Sequence, residues 1–107
     1  MASMPADFQA PEALIQMPDI GLDDLPRLVK ARVARLIGAG NADERDLVLR
    51  LLEIGFLPGE RVRVIAQGFP GRDPLAVRVG HTTFALRRHE AALIRVVPEE
   101  TLARSAR

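Results

Sequence analysis

Residues 41–59, NADERDLVLRLLEIGFLPG, carry the pattern that most restricts the fold: an amphipathic segment, a glycine stop, and a Pro-Gly pair that opens an alternating stretch. Leu47, Val48, Leu51, Leu52 and Ile54 recur at helical spacing and make one apolar face. Asp43, Glu44, Arg45, Asp46, Arg50 and Glu53 take the other side. Asn41 suits the N-cap, and Glu44, three residues on, suits a capping box. Asp43, Glu44 and Asp46 put negative charge where the helix dipole favours it. Gly55 offers a left-handed exit, and Pro58-Gly59 reads as the centre of a type II turn. The spacing predicts a helix over about 42–54, a plug for an otherwise β domain to fold around.

The rest of the chain alternates in short runs. Val29, Ala31 and Val33 face one way and Lys30, Arg32 and Ala34 the other, in a strand that runs from Leu28 to Ile37 and stops at Gly38-Ala39-Gly40. In residues 60–67, Val62 and Val64 point inward and Arg61 and Arg63 outward. Residues 68–74, GFPGRDP, form a loop dense in breakers. Leu75, Val77 and Val79 mark a third strand, Gly80-His81 a tight reversal, and Thr82, Phe84 and Leu86 a fourth. Residues 88–92 suit one helical turn, and residues 93–97 a fifth strand ended by Pro98. Five short strands at close spacing predict a small barrel, whose closure would also remove exposed sheet edges. Residues 1–21 read as an N-terminal extension, partly disordered through Phe8, although Leu14, Ile15, Met17 and Ile20 are apolar enough to pack. The domain is expected over 22–98, with 99–107 a flexible polar tail.

At 107 residues the chain is one domain. It has no cysteine, which removes disulfide, zinc-knuckle and thiol chemistry and fits a reducing cytoplasm. No apolar run approaches membrane-spanning length, and no secretory signal is expected. Residues 1–26 hold five acidic residues and no basic one; residues 27–107 hold all 15 Lys and Arg against nine acids, a net of +6. That charge raises a nucleic-acid-binding barrel as an alternative. The four aromatics are all Phe, however, and do not cluster with the arginines, so no nucleic acid is expected as partner.

Catalytic motifs are missing. There is no phosphate-binding GxxxxGK[ST], no GxSxG elbow and no HExxH, and no nucleophile lies beside a base, so no enzyme is expected. His81 and His89 are the only histidines and sit in no spaced ligand set; they read as surface residues first and as candidate metal ligands second, and Asp43, Asp73 and Glu90 could supply oxygen ligands to a hard cation. Phe56 and Phe69 sit beside turns, where they either cap the barrel ends or offer apolar contact to a partner.

The run LRLLEIGFLPGERVRVI (49–65) resembles the leucine-rich helix, glycine, Pro-Gly and strand of the FeoA family, small cytosolic proteins of bacterial ferrous iron uptake. DPLAVRVGHTTFALRRHEAALIRV (73–96) is similar to that family's second half, and residues 22–33 to its entry. Arg27-Leu28-Val29-Lys30 stand where the family often has a glycine, and Arg72 separates Gly71 from Asp73. The resemblance implies an SH3-like β-barrel with an inserted helix. It also implies a cytoplasmic accessory role toward the ferrous iron permease FeoB, through protein–protein contacts. A metal-responsive domain like the C-terminal barrel of iron-dependent repressors is the alternative. The residues establish no cofactor; the resemblance points to Fe2+. For the partner surface, the helix-to-strand corner Phe56-Leu57-Pro58 with Arg87 and Arg88 is expected, since apolar residues there have no second helix to pack on and paired arginines suit an acidic rim.

Overall fold

The computed structural model describes residues 14, 17–38 and 40–105. Ile15, Ala39 and the segment through Phe8 lie outside the described residues. The elements are β1 (Ile20–Gly21), a 3-10 turn (Leu22–Asp24), β2 (Lys30–Leu36), α1 (Ala42–Ile54), β3 (Arg61–Gln67), β4 (Leu75–Val79), β5 (Thr82–Leu86), α2 (Arg88–Ala91), β6 (Ile94–Pro98) and α3 (Glu99–Ser105).

All strand pairs are antiparallel, in one six-stranded sheet of order β1-β6-β2-β3-β4-β5. The mostly β class and the inserted helix are as read from the sequence. The strand count and the closure are corrected. A sixth strand arises because Ile20 and Gly21, assigned to the extension, pair with Val96 and Arg95. The sheet does not close: β1 and β5 end the ladder without pairing to each other among the described residues.

Alternation sets the inner face. Ala31, Val33, Val62, Val64, Val77 and Val96 point into one core with Leu22, Leu25, Leu75 and Ile94. Register irregularities between Val33 and Arg35 and between Val64 and Ala66 fall in the two central strands, β2 and β3, and keep this face apolar. Since the strands fill the interior themselves, α1 is a cover and not a plug. Only Leu51 of the helix is fully buried, while Leu47 and Ile54 pack half-buried against the core. Burying Leu51 contributes roughly 1.5–3 kcal/mol.

The helix ends follow the sequence closely. Asn41 Oδ1 accepts the Glu44 N–H at 2.8 Å. Glu44 Oε1 then accepts the Gly40 N–H at 3.2 Å, one residue earlier than a capping box would place it. Gly55 closes the helix at φ +129°, donating to Leu51 and Leu52 carbonyls at 3.2 and 3.1 Å. Gly59, at φ +92°, completes the turn in which the Glu60 N–H donates to the Leu57 carbonyl at 3.0 Å.

The stretch read as a polar tail is helical over Glu99–Ser105. Leu102 of α3 and Met17 pack against a second small core of Leu14, Ala34 and Val97, on the outer side of β2 and β6. The apolar residues 14 and 17 therefore do pack, on the face opposite the main core.

Candidate functional site

The helix-to-strand corner is fixed by backbone bonds on both sides. The Phe56 N–H donates to the Leu51 carbonyl at 3.1 Å, the Gly59 N–H to the Val33 carbonyl at 2.7 Å, and the Val33 N–H to the Glu60 carbonyl at 2.8 Å. Arg32 Nη1 adds a bond to the Gly59 carbonyl at 3.0 Å. Held this way, Phe56 turns inward and is 0% exposed. It is a core residue and not a surface contact, because the exit of α1 aims its ring at Phe84, 6.3 Å away. Leu57 and Pro58 remain half-buried at the corner.

Arg87 is exposed, with its backbone N–H capped by Glu90 Oε1 at 2.8 Å. Arg88 is half-buried and bound locally. Its backbone N–H donates to Asp73 Oδ1 at 2.9 Å, and its Nη2 lies 3.7 Å from Asp23 Oδ2. Arg88 thus joins α2, the β3–β4 loop and the 3-10 turn. Of the five residues expected at the corner, Phe56 alone is fully buried; Leu57, Pro58 and Arg88 are half-buried and Arg87 is exposed.

His81 stands exposed at the β4–β5 reversal and His89 exposed in α2. No group of three or more His, Asp or Glu residues is assembled to hold a metal ion among the described residues. Asp43 and Asp73 are exposed, and Asp73 is engaged with Arg88.

One surface feature went unread in the sequence, and for a second, Phe69, the sequence allows two readings. Leu36, Ile37, Gly38, Val48 and Leu49, with Arg45, line a shallow apolar cleft of about 250 Å³ between the end of β2 and α1. Leu49 is 59% exposed there. Its place between Val48 and Arg50 gave a signal, since it falls outside the apolar stripe. Phe69 is 96% exposed in the β3–β4 loop. It presents apolar surface, whereas Phe56 supplies core; the same turn-side position in sequence leads to opposite fates. No described helix is long and apolar enough to cross a membrane.

The fold has counterparts among known proteins. The FeoA domain profile matches residues 20–98. A search of curated protein sequences found no significant match. Among solved structures, the zinc complex of FeoA from Stenotrophomonas maltophilia is 40% identical, with a TM-score of 0.65, covering 73% of this chain and 89% of that one. That protein is described as an SH3-domain protein and a candidate activating factor for ferrous iron transport. Iron(II) transport protein A from Clostridium thermocellum is 33% identical, with a TM-score of 0.61, covering 74% of this chain and 45% of that one. A manganese-dependent transcriptional repressor is 28% identical, with a TM-score of 0.63, covering 87% of this chain and 46% of that one. A profile match spanning all six strands, with 40% identity to a solved member, places this chain in the FeoA family.

Proposed function

We propose that this protein is a cytoplasmic, non-catalytic accessory factor of ferrous iron uptake that docks on the cytosolic part of an FeoB-like permease. The observation that carries the reading is the family match across the whole sheet, 20–98, together with a relative described in terms of ferrous iron transport activation. The docking surface is the corner at Leu57 and Pro58 with Arg87; Phe56 and Arg88 act behind it by holding the corner and α2 in place. A half-buried apolar pair suits the apolar centre of an interface, and an exposed guanidinium suits an acidic part of its rim. Co-purification with the permease's soluble domain, with and without nucleotide, tests the reading. Wild-type protein is retained; absence of retention in both states rejects it. Retention unchanged by Leu57→Asp with Arg87→Glu rejects the surface alone.

A divalent-metal-responsive role is the second reading, favoured by the zinc in the Stenotrophomonas relative. Fe2+ is the ion proposed, with His81 or His89 as its imidazole ligand. Titration with Fe2+ under reducing, anaerobic conditions should then move one imidazole NMR signal; two unmoved signals reject it.

A further inference from the structure

The outer face of the sheet is divided. Over β6 and the adjoining part of β2 it is covered by Leu14, Met17 and Leu102. Over β2, β3 and β4 it is basic, and Lys30 and Arg78 are exposed and Arg63 half-buried among the described residues. Cα register puts Lys30 opposite Arg63, Arg63 opposite Arg78, and Arg78 opposite Thr83, so three cations form one row across three neighbouring strands. Like charges directly opposite one another destabilise a sheet.

Several neighbouring arginines carry counter-charges. Glu99 bridges Arg32 and Arg61, Asp19 bridges Arg35 and Arg95, and Asp23 meets Arg88. Lys30, Arg63 and Arg78 have no ion pair among the described residues. They line a groove of about 440 Å³ with Arg61, His81 and a single acid, Glu60.

We infer that this row is a docking site for an acidic helix of a protein partner; its groove adjoins the corner at Leu57 and Pro58 through Glu60, but the inference uses neither residue and is independent of the permease reading. Strands lie about 4.8 Å apart, so the row extends roughly 10 Å. Acidic side chains three and four residues apart on a helix are about 5–6 Å apart, and carboxylates at i, i+4 and i+7 meet the three cations in turn. A single phosphate carries no run of charges at the spacing of the row. A single-stranded nucleic acid needs aromatic platforms. Here Phe56 is buried, Phe84 faces the core, and Phe69 sits beyond the far end of β3 from Arg63.

The test uses the full chain and two synthetic helical peptides of equal composition. One has glutamates at i, i+4 and i+7; the other has three glutamates spread around the helix. Pyrophosphate and a single-stranded oligonucleotide form separate arms, all read by NMR shifts at 50 mM salt. The first peptide is expected to bind saturably, shift the amides of Lys30, Arg63 and Arg78, and weaken at least tenfold with Arg63→Gln plus Arg78→Gln. These changes relieve repulsion, so an unchanged unfolding midpoint or a higher one confirms that the variant is folded. Equal binding of both peptides, no binding, binding that survives the double change, or tighter binding of pyrophosphate or oligonucleotide each overturns the proposal.

Discussion

The rings of Phe56 and Phe84 meet with centroids 6.3 Å apart and planes tilted by 58°, joining the exit of α1 to β5. This contact makes Phe56 a stability residue. Phe56→Ala should cost about 3–5 kcal/mol, the range for emptying a buried aromatic site. Urea denaturation measures it directly. Leu57→Asp, at a half-buried position, should cost clearly less. Equal losses at the two sites would mean that the corner does not sort them as described.

Asn41 caps α1 through a 2.8 Å bond from the Glu44 N–H. Asn41→Ala should destabilise the protein by about 1 kcal/mol, and Asn41→Gly by only a few tenths. The unfolding midpoints of the two variants give the comparison. A Gly variant as damaged as the Ala variant would assign the loss to something other than the cap.

Asp19 immediately precedes β1, and its side chain is 8% exposed between Arg95 Nε at 2.9 Å and Arg35 Nη2 at 3.2 Å. Asp19→Asn keeps the shape and removes the charge. It should cost about 1–3 kcal/mol, the scale of hydrogen bonds to a charged partner. Hydrogen exchange should show β1 opening first, because its two residues have β6 as their only strand neighbour among the described residues. Uniform loss of protection across the sheet would contradict this.

Arg63 and Arg78 lie directly opposite with no counter-charge among the described residues. Arg78→Thr should therefore stabilise the fold by about 0.2–1 kcal/mol at low salt. The gain should vanish at about 1 M salt, where the screening length is only about 3 Å. Thermal unfolding at two salt concentrations decides it, and destabilisation at low salt would reject the repulsion.

Much of the local structure could be read from residue order. Asn41, Gly55 and Pro58-Gly59 fix the ends of α1 and the turn after it, because capping and φ > 0 are properties of single residues. Alternation of Val with Arg fixes which side of β3 faces the core, because the side-chain period of a strand is two. The family resemblance rests on the same short motifs.

Tertiary structure decided what depends on partners distant in sequence. Ile20–Gly21 is a strand only because β6, more than seventy residues on, offers it an edge. The sheet stays open because, among the described residues, nothing pairs β1 with β5. Phe56 and Phe69 have the same turn-side setting in the sequence, yet one ring meets Phe84 and the other meets solvent. The row Lys30–Arg63–Arg78 could not be seen in the sequence either. Each cation is an ordinary outward residue of its own strand, and only the register of three strands brings them face to face.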